Sequence, residues 1–201
     1  MPCTHSSFHR RQSLETRVVR IGTRESALAL CQTHWVLDRL ARCHPAIHFQ
    51  VVRVCTRGDR MRDVPLFEVG GIGLFVKEIE SALLSGKIDL AVHSLKDLPG
   101  CLPMGLEIAV VPEREDPRDV LVSRLNLPLV ELPARARVGT SSRRRAAQLL
   151  SVRPDLTITN LRGNVDTRLC KAQSERYEAI VLAAAGLIRL GYAGCITETL
   201  S

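Results

Sequence analysis

The sequence predicts an α/β protein made of two successive units of alternating strands and helices around a cleft. Short apolar runs alternate with longer segments of helical periodicity from residue 17 onwards. A charged, proline-bracketed segment, residues 112–118, interrupts this alternation, and the pattern restarts after it. Basic and hydroxyl side chains follow most of the apolar runs. Ligands of open α/β sheets bind beyond the carboxyl ends of the strands, so these side chains predict a site for an anion.

The composition fits a globular protein and argues against several other classes. With 201 residues, 45% of them hydrophobic, the chain can form one large domain or two small ones around a packed core. It has no run of about 18 apolar residues, and residues 1–16 lack the apolar core of a secretory signal. We therefore expect a cytoplasmic protein without membrane contacts, whose residues 1–16 form a disordered extension. A transit peptide is the weaker alternative, because the stretch is short and carries Glu15.

The cysteines and the net charge narrow the choice of ligand. Seven cysteines are scattered without a Cys-x-x-Cys pair, which argues against a disulfide framework and a zinc site, and we expect no metal. The formal net charge of +7 is compatible with nucleic acid or with an acidic small molecule. Only 3% of the residues are aromatic, which leaves little material for base stacking, so nucleic-acid binding is the weaker alternative.

The first unit, residues 17–112, opens with a strand over residues 17–21. Arg24 and Ser26 lie on the turn from this strand into a helix, which is a natural place for an anion. An apolar stripe predicts the helix itself: Ala27, Leu30, Leu37 and Leu40, flanked by Leu28, Cys31 and Trp35.

A second strand over residues 49–54 and a second helix follow. The glycine-rich segment 70–73 lacks both the lysine-serine ending of a P-loop and the G-x-G-x-x-G spacing, so we interpret it as a flexible turn. Leu74, Phe75, Ile79 and Leu83 share one face of the helix, and Gly86 marks its end.

The stretch Asp89–Pro99 predicts a buried strand, residues 90–92, that ends in reactive side chains. Ser94, Lys96 and Asp97 follow the strand at its carboxyl end. On the Ser-x-Lys-Asp pattern of residues 94–97 alone, a polar loop that caps the next element is an equally good interpretation. A further apolar run at residues 106–111 leads into residues 113–118, which we interpret as a hinge between domains.

The second unit, residues 119–201, carries strands predicted at 120–122, 136–138, 156–161 and 179–183. Ser141 or Ser142 would cap the helix after the second of these strands, but three arginines, residues 143–145, occupy its first turn. Positive charge there opposes the helix dipole by about 0.3–1 kcal/mol per exposed residue, which suggests that an anion binds there. A solvated basic face is the alternative.

Arginines recur after the following strands, with Arg162 and Arg168 after the third and Arg189 after the fourth. Guanidinium groups bind carboxylates bidentately and stay charged when desolvated, so the predicted ligand carries several carboxylates or phosphates. Asp97 is the one acid among these strand-end residues, and we expect it to face a positive or N–H-bearing part of the ligand.

Taken together, these stretches resemble the porphobilinogen deaminase family, whose members are also called hydroxymethylbilane synthases. The resemblance covers nearly all of residues 17–191. It is carried by the stretches RIGTRES (20–26), TRGD (56–59), GLFVKE (73–78), AVHSLKDLP (91–99), EREDPRD (113–119), VGTSS (138–142) with Arg144 and Arg145, LRGNVDTR (161–168) and AAGL (184–187).

The resemblance implies a fold of three α/β domains, the first two arranged like a periplasmic binding protein around a cleft. The implied reaction is the head-to-tail condensation of four porphobilinogens, with loss of ammonia, into a linear tetrapyrrole for haem biosynthesis. Asp97 would be the catalytic carboxylate. The acetate and propionate groups of the substrate and of a dipyrromethane cofactor would be held by Arg24, Ser26, Ser94, Lys96, Thr140, Ser142, Arg144, Arg145, Arg162, Arg168 and Arg189.

The chain departs from the family pattern in two residues and in length. Ile72 stands where many members have lysine, and Arg143 replaces a usual leucine. By resemblance, the chain stops near the end of a nearly complete second domain, without the segment that returns to the first domain and without the third domain. The third domain carries the cysteine that binds dipyrromethane. We therefore expect a monomer that is inactive as this chain; the alternative is a non-catalytic module that binds a polycarboxylate.

Overall fold

The computed structural model describes residues 17–56, 58 and 76–200, and these form two β-sheets with helices packed on them. The predicted α/β class is thereby confirmed. The glycine-rich segment 70–73, Leu74, Phe75 and the extension 1–16 lie outside the described residues. None of the helices in the described part of the chain has the length and apolar character needed to cross a bilayer.

The first sheet has three parallel strands in the order β2-β1-β3: β1 is Val18–Thr23, β2 is His48–Arg53 and β3 is Leu90–Ala91. The last strand is shorter than the predicted run 90–92, and its residues are half-buried rather than buried. The reason is its position at the edge of the sheet, where it pairs only with Ile21 and Gly22 of β1.

Helix α1, Ala27–Cys43, follows β1 directly, and helix α2, Lys77–Leu84, precedes β3. Ser26 begins α1 as its N-cap, since its side chain accepts a hydrogen bond from the Ala29 amide at 3.3 Å. The predicted end of α2 is confirmed, because Ser85 caps the helix and Gly86 takes a φ of +67°, which favours glycine.

The second sheet has five strands in the order β6-β5-β7-β4-β8. They are β4 Asp119–Ser123, β5 Arg137–Gly139, β6 Thr157–Thr159, β7 Ala179–Ala183 and β8 Glu198–Leu200. Strands β5, β6 and β7 are parallel, whereas β4 runs antiparallel to both of its neighbours, β7 and β8. The amino end of β4 therefore lies at the same edge of the sheet as the carboxyl ends of the other strands.

Both faces of the second sheet are covered by helices, which is why its central strand β7 and residues 120–122 of β4 are continuous apolar runs. Helix α3, Arg143–Val152, packs on one face, where Leu149 joins a buried cluster with Leu121 and Val181. Helices α4, Val165–Ala172, and α5, Ala184–Arg189, pack on the other face with Ile180. A single strand such as β7 thus contributes to both cores through its alternating side chains.

Residues 98–118, here called the connecting segment, join the two sheets without helix or strand. The apolar run at residues 106–111 forms no strand, and Ile108, Val110 and Val111 are exposed. Apolar composition alone favours a strand there, but no neighbouring strand among the described residues offers it a partner. The predicted hinge, residues 113–118, lies in this segment, and its boundaries stay predictions.

The two sheets also touch through their helices. The Cys31 thiol of α1 donates a hydrogen bond to the Arg189 carbonyl of α5 at 3.0 Å. Leu28 Cδ2 lies 3.7 Å from the position that a Cβ on Gly186 would take. Because α1 and α5 each begin at the carboxyl end of a strand, this contact brings the strand ends of both sheets to the same side of the molecule.

Candidate functional site

Asp97 pairs with a predicted anion-binding residue at the edge of the first sheet. Arg24 Nη1 lies 3.6 Å from Asp97 Oδ2, and both side chains are largely buried, with 15% and 27% of their surface exposed. The parallel register of β1 and β3 explains the meeting, because Thr23 and Ala91 end neighbouring strands at one edge. The Asp97 side chain thus lies beside a permanent positive charge.

The other predicted residues of the first sheet differ in their exposure. Ser94 donates a hydrogen bond to Gln32 Oε1 of α1 at 2.8 Å, whereas Lys96 is exposed on the short 3₁₀ turn Leu95–Asp97. His93 lies between these residues and the strand. Burial lowers the pKa of His93, Asp97 raises it, and Arg24 lowers it further, so the net shift is downward and favours the neutral imidazole at neutral pH.

Hydroxyl groups shape the turn after β5 at the edge of the second sheet. Thr140 is buried; its amide donates to the Thr159 carbonyl at 2.9 Å, and its hydroxyl accepts from the Ser142 amide at 3.2 Å. Ser142, and not Ser141, is the N-cap of α3, accepting from the Arg145 amide at 3.4 Å. Ser141 instead contacts the Leu161 carbonyl and so ties this turn to the turn after β6.

Arg144 and Arg145, predicted to bind an anion, share an internal carboxylate. Asp119 Oδ2 accepts from Arg144 Nη2 at 2.8 Å, and Asp119 Oδ1 accepts from Arg145 Nη2 at 2.6 Å. Burial alone would raise the pKa of Asp119, but the hydrogen bonds from the two guanidinium groups outweigh it and hold the pKa below its ordinary value. Asp119 is therefore ionised at neutral pH.

Arg162 and Arg168 complete a group of guanidiniums at this edge. Arg168 Nε donates to the Gly163 carbonyl at 2.7 Å, and the pKa of Arg168 is lowered by burial and then by the charges of Arg145 and Arg162. Gly163 has a φ of +120°, and a Cβ there would lie 2.7 Å from Thr167, so only glycine fits this turn.

Two of these guanidinium groups keep buried donors without a partner. Arg145 Nε and Arg162 Nη1 are buried, and neither makes a hydrogen bond within the described structure. A buried charged donor left unpaired costs free energy, on the order of 1–3 kcal/mol or more. An anionic ligand that reaches both atoms would remove this cost, so the arrangement fits an anion bound among Arg145, Arg162 and Arg168.

The structure thus brings the predicted residues together in two groups. Asp97 lies with Arg24 near Ser94 and Lys96, and Arg144, Arg145, Arg162 and Arg168 lie with Thr140 and Ser142 on the second sheet. The backbone carbonyl of Arg189 takes part in the contact between α5 and α1. Ser26 is engaged as a helix cap and Ser94 by Gln32, so each would have to share its hydroxyl with a ligand.

Sequence reasoning missed Asp119, Gln32 and His93. Asp119 precedes its strand, and in a parallel sheet the start of a strand lies at the edge opposite the ligand. Only the antiparallel course of β4 brings Asp119 to the carboxyl end of β7, opposite Ala183. In the sequence, Asp119 is marked by its position directly after the predicted hinge. Gln32 lies in the helix that follows the Arg24 turn. In the sequence it is a polar residue next to the apolar stripe of that helix.

Fold and site together define an α/β protein whose strand ends carry a buried guanidinium cluster and one carboxylate paired with arginine. Residues 19–201 match the family model described as porphobilinogen deaminase, dipyromethane cofactor binding domain. The chain belongs to the porphobilinogen deaminase family. Its predicted resemblance to that family is confirmed.

Curated relatives give the same result. Porphobilinogen deaminase of Bacillus subtilis (strain 168) is 55% identical over 176 residues, which is 88% of this chain and 56% of the relative. The enzyme of Roseiflexus castenholzii (strain DSM 13941 / HLO8) is 57% identical over 180 residues, which is 90% of this chain and 59% of the relative. The chain thus spans somewhat more than half the length of these relatives.

Two solved structures show a distant likeness to this chain. The VFT2 domain of BvgS from Bordetella pertussis gives a TM-score of 0.46 at 15% identity, covering 92% of this chain and 76% of that one. The alkanesulfonate-binding protein SsuA from Xanthomonas axonopodis pv. citri gives 0.41 at 16% identity, covering 92% and 60%.

Proposed function

We propose that this chain forms the substrate- and cofactor-binding part of a hydroxymethylbilane synthase, which condenses four porphobilinogens head to tail with release of ammonia. The observation that carries the proposal is the pair of buried, unpartnered guanidinium donors, Arg145 Nε and Arg162 Nη1, at the strand ends of the second sheet. Membership of the family supports the substrate class. The whole reaction is a proposal, because the chain covers 56% of the length of the first relative above.

The binding part of the proposal rests on charge and geometry. Each porphobilinogen carries an acetate and a propionate group, so a growing chain presents two carboxylates for every pyrrole. Arginine suits such groups because its planar fork of donors matches a carboxylate and it stays charged when buried. We assign the carboxylates to Arg144, Arg145, Arg162, Arg168 and Arg189 on the second sheet, with Thr140 and Ser142 as neutral donors. Arg24, Ser26, Ser94 and Lys96 serve on the first sheet.

The catalytic role falls to Asp97. Loss of ammonia from the aminomethyl group leaves an electron-poor carbon whose positive charge is shared with the pyrrole nitrogen. A fixed carboxylate near that nitrogen stabilises the charge as it develops, and the arginines cannot do this because their charge has the wrong sign. The contact with Arg24, at 3.6 Å, holds the Asp97 side chain in place.

The same guanidinium cluster fits a dipyrromethane cofactor, the group named in the description of the matching family model. The unpartnered Arg145 Nε and Arg162 Nη1 are the donors that its carboxylates would satisfy, with Arg168 beside them. When bound, the cofactor supplies the terminal pyrrole to which the first substrate is joined. The residues of this chain would hold its acidic groups.

The setting we propose is a cytoplasmic monomer without nucleic-acid or membrane partners. The six described cysteines are free thiols, as expected in a reducing compartment. Only 3% of the residues are aromatic, which disfavours base stacking. The net charge of +7 complements the acidic groups of the proposed substrate.

Calorimetric titration of the 201-residue chain with porphobilinogen tests the proposal. Arg162→Ala removes an unpartnered donor and should weaken binding by about tenfold or more, because a charged hydrogen bond to carboxylate is lost. Arg176→Ala is the matched control: Arg176 is exposed just before β7, at the opposite edge of the sheet, and its loss should leave the affinity within about twofold. Equal losses in both variants would mean that the chain binds porphobilinogen only through its overall charge.

A further inference from the structure

We infer that Asp119 is a positioning residue: its carboxylate fixes the directions of Arg144 and Arg145, and the anion affinity of the site depends on that fixed geometry. The inference rests on the proposed function and deepens it. Asp119 lies at the amino end of β4 and has no assigned role in anion binding. Its relevance comes from the topology, since the antiparallel β4 is the strand that reaches the ligand edge with its first residue.

The contact is a clamp of one carboxylate on two neighbouring guanidiniums. Each oxygen of Asp119 accepts from a different arginine, Oδ1 from Arg145 Nη2 at 2.6 Å and Oδ2 from Arg144 Nη2 at 2.8 Å. The Asp119 and Arg145 side chains are 17% and 14% exposed, whereas Arg144 is 63% exposed. The clamp therefore joins a buried arginine to a solvent-facing arginine.

The other nitrogen atoms of the Arg145 guanidinium show how the contact with Asp119 orients it. Its Nη1 donates to the Val181 carbonyl of β7 at 3.2 Å, so both terminal nitrogens of the guanidinium are occupied. The plane of the group is thereby fixed, and Nε is the donor left buried without a partner. Arg168 is a charged neighbour of Arg145, because the charges of Arg145 and of Arg162 both lower the pKa of Arg168.

Without the clamp, electrostatics would spread these groups apart. Arginines 143–145 occupy the first turn of α3, where the helix dipole is unfavourable for positive charge, and the charge of Arg145 also acts on Arg168. An arginine side chain also has many rotamers, and a fixed partner restricts them before the ligand arrives. Asp119 offsets one charge of the cluster and holds the rest of the donors in the geometry an anion requires.

Two roles for Asp119 predict opposite effects of Asp119→Asn. If the carboxylate only neutralised charge, its removal would leave a more positive site and tighter anion binding. If it positions the arginines, the freed guanidiniums would bind anions more weakly despite the added positive charge. The structure favours the second outcome because Arg145 is buried and held at both terminal nitrogens.

The test measures the affinity of the 201-residue chain for two probes, porphobilinogen and citrate, a tricarboxylate without a pyrrole. We expect Asp119→Asn to weaken the binding of both by about tenfold. Asp155→Asn is the matched control, because Asp155 also clamps an arginine, Arg153, but precedes β6 at the opposite edge of the sheet. The control should stay within about twofold of the parent chain.

A spectroscopic readout separates positioning from general damage. The Nε–Hε NMR signal of Arg145 should be sharp in the parent chain and in Asp155→Asn, and broadened or shifted towards free arginine in Asp119→Asn. Asp119→Glu keeps the charge and should retain the signal and an affinity within about threefold. If Asp119→Asn does not fold, Asp119→Glu decides alone, and a loss of signal and affinity in it overturns the inference.

The outcomes distinguish the inference from the proposed function. Tighter or unchanged binding of both probes by Asp119→Asn would overturn the inference and leave the proposed function standing. If the parent chain binds citrate but not porphobilinogen, the proposed substrate is wrong, while the response of citrate affinity to Asp119→Asn still decides the role of Asp119. Binding of neither probe by the parent would overturn both.

Discussion

At the scale of single residues, the site is governed by which charged groups already have a partner. Arg144 and Arg145 share Asp119, and Arg24 pairs with Asp97, so three of the strand-end arginines have a carboxylate partner before any ligand binds. Arg168 donates to a backbone carbonyl, and Arg162 keeps a buried donor that makes no hydrogen bond within the described structure. We therefore expect Arg162 and Arg168 to contribute more to anion affinity than Arg144.

Asp97 is the residue whose removal should separate binding from turnover. The test uses a chain extended to the full length of the family members. In it, Asp97→Asn keeps the size of the side chain but removes its charge. We expect the turnover of porphobilinogen to fall by at least roughly 100-fold, or about 2.7 kcal/mol, with substrate affinity preserved. Stopped-time assays of tetrapyrrole formation would measure it.

Asp89→Asn is the control for this experiment. Asp89 also pairs with an arginine, Arg20, at 2.9 Å, but it precedes β3 at the opposite edge of the same sheet. Its loss should leave turnover unchanged. If Asp97→Asn instead raised KM and kept the parent turnover, Asp97 would be a positioning group and its catalytic assignment would be wrong.

The sequence located most strand-end residues but not their pairings. The positions of Arg24 and Asp97 follow from strand order along the chain, because each comes directly after an apolar run. Asp119 could not be placed, since its partners depend on the direction of β4, and direction is a property of the assembled sheet. Local pattern therefore predicts which residues reach an edge, whereas long-range pairing decides what they meet there.

At the scale of elements, close packing between β5 and its neighbours limits substitution at Gly139. A Cβ on Gly139 would lie 2.9 Å from Tyr177 Cδ1 and 3.0 Å from Ile180 Cγ2, and both residues are buried. Gly139→Ala should therefore destabilise the fold by about 1–3 kcal/mol through overpacking. Denaturant unfolding measures this, and Gly194→Ala, where no atom lies within 4 Å, should have a much smaller effect.

Strands β5 and β7 are also joined by a pH-dependent contact. Glu178 accepts from the Arg137 amide at 2.7 Å and from its guanidinium, and these bonds, with Arg124 nearby, lower the pKa of Glu178 to about 2. The ordinary pKa of a glutamate is about 4.3, so the pKa of Glu178 in the folded chain lies below it. The stabilisation of the fold by ionised Glu178 is therefore complete above about pH 4.3 and is lost as the pH falls towards 2.

Glu178→Gln should accordingly lower the free energy of unfolding at pH 7 and flatten its decline between about pH 4.5 and 2. Denaturant titrations across this range would show the two curves converging as the pH falls. Glu175→Gln changes the same charge at an exposed side chain nearby and should follow the parent curve. A constant difference at all pH values would assign the effect to packing instead of ionisation.

The elements themselves were largely predictable, with one instructive exception. Residues 179–183 and the helix after Ser26 match their predicted positions because their periodicity agrees with their burial. The apolar run 106–111 has the composition of a strand, yet it stays exposed and unpaired in the described structure. Strand formation requires a partner strand, and residue composition cannot report whether one is present.

At the scale of the whole molecule, the two sheets have unequal cores. Among the described residues, the second sheet has a buried cluster on each face. In the described part of residues 17–97, the buried apolar residues are Ile21, Val76, Ile79 and Ile88. Burial of apolar surface is the main favourable term in folding, so we expect the part of the chain that contains the second sheet to be the more stable one.

Limited proteolysis of the 201-residue chain tests this difference. The connecting segment, residues 98–118, is exposed over most of its length and lacks regular hydrogen bonding, so cleavage should begin there. A fragment that begins near residue 119 should then persist, while fragments of the first sheet are degraded or aggregate through the exposed Ile108, Val110 and Val111. Mass spectrometry identifies the fragments. Porphobilinogen should slow the first cleavage, because a ligand bound by both sheets restrains the segment between them. Survival of the first sheet beyond the second would show that the contact of α1 with α5, and not the second core, dominates the stability of this chain.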